Sequence, residues 1–138
     1  MVSNLSGEST GHSTIESIQA LPTSDKPRYA GRVVVLINEL AISHAEHSGL
    51  FLEQASKVTF VGSPTVGANG NVTWAVLPGN LSISFSGLGV RHADGRQLQR
   101  LGLQPHVFVR PTVEGLRAGR DEVLEKALAV IAQGPTTP

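Results

Sequence analysis

The segment from Arg32 to Glu46, RVVVLINELAISHAE, constrains this chain more than any other. Val33, Val34, Val35, Leu36 and Ile37 form an unbroken β-branched and aliphatic run, the pattern of a strand covered on both faces, as in a parallel sheet. A short turn then leads into a helix that opens at Ser43 and is expected to run from His44 to about Ala55, with Ala45, Leu50, Phe51 and Leu52 largely buried. A serine at a helix start sits beside free backbone N–H groups and the positive end of the helix dipole, where an oxyanion is stabilised. Ser43 followed three residues later by Glu46 is equally the capping-box pattern of an ordinary N-cap. This segment alone leaves both readings open.

Composition removes several classes of function. At 138 residues and 40% hydrophobic content, the chain suits one modest domain with a core. The formal net charge is zero and no basic cluster occurs, so there is no electrostatic footprint for nucleic acid or an anionic membrane. No stretch approaches the roughly 18 consecutive apolar residues of a membrane span, and the N-terminus lacks the charged and apolar regions of a signal peptide. Without cysteine there is no disulfide framework, no thiolate metal site and no cysteine nucleophile.

Residues 1–28 are rich in Ser, Thr, Gly and Pro, with Ile15, Ile18 and Leu21 sparsely placed, and read as a loose arm with at most a short turn of helix. The compact domain is expected over 29–134, with 135–138 as a tail. Lys57 to Val61 reads as a second short strand. The run Gly62-Ser63-Pro64-Thr65-Val66-Gly67-Ala68-Asn69-Gly70 has the composition of a tight loop that approaches something closely. Val72, Trp74 and Val76, then Leu81, Ile83 and Phe85 beyond Pro78-Gly79-Asn80, predict an antiparallel hairpin with one wet face. Val107 to Val109 reads as a last strand. Arg120 to Ala132 places Val123, Leu124, Ala127, Leu128 and Ile131 on one stripe of a surface helix packed on the sheet. The pattern alone gives an α/β fold with an antiparallel element.

Taken in order, VVVLIN, SHAE, TFVGSPTVGANGN, a hairpin and GVRHADGRQLQRLGLQPHVFV resemble the second half of the catalytic domain of the S41 peptidases, the C-terminal-processing (tail-specific) and tricorn-like serine proteases. The resemblance covers roughly Tyr29 to Ile131. It implies the ClpP/crotonase-like superhelix of ββα units, here as a partial domain. It also places Ser43 at the nucleophile position, in a motif that usually reads small residue, Ser, two small residues, Glu. The substrate so implied is a peptide or protein, and no cofactor is called for. Many bacterial members act in the periplasm or are exported, which sets the expectation for location.

Nucleophilic catalysis by serine needs a base and donors for the developing oxyanion. The backbone N–H of His44 is one candidate donor, and a loop N–H would be another. Gly67, Ala68, Asn69 and Gly70 are expected to line the substrate cleft. The tail-specific branch carries its base lysine in the Gly-rich loop, at a position that falls on Ala68, and the three lysines present, Lys26, Lys57 and Lys126, lie elsewhere. The tricorn-like branch uses a histidine from before the nucleophile strand and a glutamate whose position falls around Gln99, an amide that can hydrogen-bond but carries no charge. Within the chain, His92 is the candidate base, with Asp94 near enough in sequence to orient an imidazole. His44 and His47 flank Glu46 and are expected to pack or face solvent. His106 stands where the family has an aspartate before the final strand, and His12 falls in the arm. His44 and His47 are three apart, without the spacing of a zinc-protease helix or a third ligand, so no metal site is expected.

Two classes of function follow. In the first, the chain is the nucleophile-bearing part of a serine endopeptidase, inactive in isolation because its base lies outside it. In the second, it is a non-catalytic relative whose cleft holds a peptide or an apolar ligand. An incomplete domain would also expose sheet edges that invite self-association into a homo-oligomer.

Overall fold

The computed structural model describes residues 2–3, 16–27 and 29–133. Its centre is a parallel sheet of β3 (Val33–Ile37), β4 (Val58–Gly62) and β8 (Val107–Phe108), in the order β3-β4-β8. The helix α1 (His44–Ala55) carries the chain from β3 back to β4, as parallel neighbours require. Ile37, Leu50, Phe60, Val90, Leu98 and Leu103 form the core, with Val35 and Val58 packed against it. Gly62 ends β4 at φ 135°, and a Cβ there would fall 1.9 Å from the Ile37 carbonyl oxygen, so only glycine lets the ladder close at this point.

The β3 run is less covered than its composition implies. It is the outer strand of its sheet among the described residues, and Leu36 is 44% exposed. On α1 the buried residues are Glu46, Gly49 and Leu50, while Ala45 and Leu52 are exposed. Counting apolar residues misassigns this face because a carboxylate occupies its centre.

The hairpin forms between β5 (Val72–Leu77) and β6 (Leu81–Ser86), but without a dry face. The turn sets Leu77 opposite Leu81, so Trp74 pairs with Ser84 and Val76 with Ser82. Directly paired residues share a face. Val72, Trp74 and Val76 therefore lie with the serines, whereas Leu77, Leu81, Ile83 and Phe85 lie on the other side, and all of these apolar side chains are exposed. The two apolar rows expected to share one face thus fall on opposite faces.

Of the arm, the described residues contain two short strands and no helix. β1 (Val2–Ser3) pairs antiparallel with both β2 (Glu16–Ser17) and β7 (Gly89–Val90), adding a small sheet beside the core. Ile15, His12 and the tail lie outside the described residues. At the C-terminal end, an unanticipated short helix α2 (Val113–Arg117) is capped by Thr112 Oγ1, which accepts from the Gly115 N–H at 2.9 Å. The helix α3 (Glu122–Ala132) packs on β3 and β4, and the Arg32 guanidinium bonds the Val130 carbonyl. Of the expected stripe, Ala127 is buried and Val123 half-buried, but Leu124, Leu128 and Ile131 face outward.

His106 takes on a structural task at the start of β8. Its Nδ1 accepts the Phe60 N–H at 2.9 Å, its own N–H donates to the Phe60 carbonyl at 2.8 Å, and its ring stacks on Phe60 at 5.6 Å. The side chain thereby continues the pairing of β4. Replacing it by leucine leaves a Phe60 N–H without its acceptor, a loss on the order of 1–3 kcal/mol. In urea unfolding, His106→Leu is expected to lose that much, and His106→Asp, which keeps an acceptor, to lose less.

Candidate active site at the start of α1

Ser43 adopts φ 56° and ψ −112°, a conformation that side-chain-bearing residues rarely take and that costs on the order of 1–3 kcal/mol. An ordinary N-cap is extended, which brings its side-chain oxygen over the first helical N–H groups. Ser43 stands in the capping-box relation to Glu46: its side chain faces the Glu46 N–H without a cap hydrogen bond of ordinary geometry, and Glu46 Oε2 accepts the Ser43 N–H at 3.2 Å. The residue is exposed. Beside it the His44 N–H, first of the helix, has no backbone acceptor among the described residues.

Glu46 enforces this geometry. It is fully buried, and its Oε1 accepts from Thr65 Oγ1 at 2.5 Å and the Gly67 N–H at 2.6 Å, while Oε2 accepts from the Ala68 N–H at 3.0 Å as well as from Ser43. A buried carboxylate is tolerated when its lone pairs are filled in this way. Further bonds lock the Gly-rich loop: the Val66 N–H donates to the Ala41 carbonyl at 3.1 Å, and the Arg100 N–H to the Gly67 carbonyl at 2.7 Å. Gly67 itself has φ 75°, and a Cβ there would press on the backbone nitrogens of Leu101 and Gly102 at 2.8 and 2.7 Å.

Gln99 closes the far side of the loop. Its Nε2 donates to the carbonyls of Asn69 and Leu88, both at 2.6 Å, and its Oε1 accepts the Val90 N–H at 3.4 Å. An ionised carboxylate could not donate to two carbonyls, so the amide is suited to the place it occupies.

Ser43, His44, Asn69 and Gly70 line one cleft of about 410 Å³, together with His47 and Gln19. Of the four loop residues expected in the cleft, Asn69 and Gly70 line it, whereas Gly67 and Ala68 turn their N–H groups inward to Glu46. His92 is placed elsewhere. It is 3% exposed, its Nδ1 lies 2.7 Å from Glu53 Oε2, and it does not line the Ser43 cleft. Its expected partner Asp94 bonds Arg96 instead, at 2.6 Å, and that guanidinium holds the Asp94 carboxyl below the usual carboxylate range. The residue that reasoning from sequence passed over is His47, which stands one helical turn after Ser43 and so shares its face. Burial, and then the neighbouring His44, lower the His47 pKa from its ordinary value, which favours the neutral ring. Among the described residues no cluster of three or more His, Cys, Asp or Glu could hold a metal ion.

The family model for peptidase family S41 matches residues 4–109, and the chain belongs to that family. The match reaches back into the segment that reads as an arm. An uncharacterised protein of Chlamydia muridarum is 29% identical over 110 residues, covering 77% of this chain and 18% of its own length. A protein of Chlamydia trachomatis is 28% identical over the same shares. Among solved structures, a Parabacteroides merdae protein provisionally described as a peptidase is 28% identical with a TM-score of 0.70, over 78% of this chain and 34% of that one. Mature CPAF in complex with lactacystin is 27% identical with a TM-score of 0.67, over 80% of this chain and 22% of that one. The chain thus spans less than a fifth of the curated relatives it matches and has the α/β fold of part of an S41 catalytic domain.

The strain at Ser43 has a measurable consequence. Ser43→Gly relaxes the backbone, so the glycine variant is expected to be about 1 kcal/mol more stable than the unsubstituted chain in urea unfolding. In an ordinary N-cap lacking strain, glycine would instead be a few tenths less stable than serine.

Proposed function

We propose that this chain is the nucleophile-bearing part of a serine-type peptidase that hydrolyses peptide bonds in peptide or protein substrates. The observation that carries this reading is the strained, exposed Ser43 beside the open His44 N–H. In the reaction Ser43 Oγ bonds to the scissile carbonyl carbon and its proton passes to a general base. The oxyanion is held by the His44 N–H, collapse of the tetrahedral intermediate expels the amine, which takes the proton from the base, and water, giving its proton to the same base, releases the acyl group and restores the serine hydroxyl. The base comes from elsewhere in a longer protein, and the isolated chain is expected to lack substantial peptidase activity.

A second reading, a non-catalytic peptide-binding relative, is favoured by one observation. Gln99, around which the resemblance places the glutamate of the tricorn-like branch, is engaged as a structural donor, and the resemblance puts Ala68 where the tail-specific branch has its lysine. A fluorophosphonate probe separates the readings. Labelling at Ser43 in the full-length protein, lost in Ser43→Ala, is the expected outcome. Absence of labelling under conditions where another S41 serine peptidase reacts would contradict the catalytic reading.

A further inference from the structure

The polarity of the hydrogen bonds around His47 can be read from one end to the other. Asn69 Oδ1 accepts the Gly70 N–H at 2.8 Å, which turns the Asn69 Nδ2 toward His47 Nδ1, 3.4 Å away. A ring nitrogen facing an amide NH₂ acts as the acceptor, so the imidazole proton resides on Nε2. Nε2–H then donates to Gln19 Oε1 at 2.7 Å. The ring is held edge-on to Phe51 at 4.9 Å. His47 is therefore a fixed N–H donor aimed into the cleft that Ser43 lines, and in this tautomer it is not poised to take a proton through Nε2.

The group it holds belongs to an extended segment. Glu16–Ser17 is strand β2, and the chain continues from it along the site. Ser17 and Gln19 line the Ser43 cleft, and Gln19, with Ile18, Ala20 and Leu21, also lines a neighbouring cavity of about 210 Å³ against His47, Leu50 and Phe51. Gln19 and His47 thus stand where the two meet, with an apolar side chain on either side of the glutamine.

We propose that the Ser43 cleft contains a subsite for a glutamine side chain of an extended peptide. In it His47 Nε2–H donates to the amide oxygen, the cavity beside Phe51 takes the flanking apolar residue, and residues 17–21 of this chain occupy the subsite themselves. This rests on the reading of the cleft as a peptide-binding site and adds its selectivity. A leucine at the same place leaves the His47 N–H without an acceptor, and a lysine sets an ammonium against it.

The test uses the whole chain and a fluorescent peptide Glu-Ser-Ile-Gln-Ala-Leu, the sequence of residues 16–21, read by anisotropy. Gln19→Ala loosens the resident segment and is expected to bind the peptide about tenfold more tightly than the unsubstituted chain. Replacing glutamine by leucine in the peptide is expected to weaken binding to Gln19→Ala about tenfold, the loss of one hydrogen bond to a half-buried donor. That preference should vanish in Gln19→Ala/His47→Phe, in which the ring still packs beside Phe51. Imidazole nitrogen NMR of the unsubstituted chain is expected to show His47 as the neutral Nε2–H tautomer. Equal binding of both peptides, or a proton on Nδ1, would overturn the subsite while leaving the cleft a peptide site. Failure of Gln19→Ala to bind either peptide would overturn both.

Discussion

The buried carboxylate of Glu46 is the interaction on which the rest of the site depends. Its two oxygens collect donors from two stretches that are distant in sequence: the start of α1 at Ser43, and the Gly-rich loop through the hydroxyl of Thr65 and the backbone N–H groups of Gly67 and Ala68. Removing an ion of this kind from water costs several kcal/mol, and the cost is offset only when every oxygen is well bonded. The carboxylate therefore demands that helix and loop meet in one arrangement. Thr65 passes the constraint on, since its Oγ1 also accepts the Leu103 N–H at 2.8 Å.

The strained backbone of Ser43 persists in that setting. An isolated serine would relax toward an extended cap, but here its N–H is held by Glu46 and its carbonyl by the His47 N–H at 3.0 Å. The result is an exposed hydroxyl at the positive end of a helix, next to a cleft whose opposite rim is fixed by Gln99 and Asn69. What the family model and the solved relatives establish is membership of peptidase family S41 and the fold of part of its catalytic domain. The exposed faces of the hairpin and the outward residues of α3, Leu124, Leu128 and Ile131, are in keeping with a segment that covers about a fifth to a third of each of those relatives.

Much of the fold was legible because local pattern and tertiary role coincide in the central elements. The aliphatic run became β3, the helix after Ser43 spans His44–Ala55 as expected, and β4 is displaced by one residue. The failures have physical causes. The hairpin's two alternations were each correct, but which faces they share is set by the turn's register, which periodicity does not contain. Glu46 was legible as a partner of Ser43 and not as a buried clamp, because its other donors, the Thr65 hydroxyl and the backbone N–H groups of Gly67 and Ala68, reach it only through folding. Asp94 is the nearer partner of His92 in sequence, yet Glu53 reaches its ring from a separate element. His47 carried a signal in its spacing from Ser43, but its meaning depends on Asn69 and Gln19, which only folding brings to it.

The central claim, that one carboxylate holds the helix start and the Gly-rich loop in register, is tested most directly by amide hydrogen exchange at Ser43, Gly67 and Ala68. All three should be protected in the unsubstituted chain. In Glu46→Gln an NH₂ group faces donors that an oxygen had accepted, so at least one of the three should exchange more than about tenfold faster while Phe60 and Val61 in β4 keep their protection. Unchanged exchange at all three amides, or their exchange at unprotected rates in the unsubstituted chain, would contradict it.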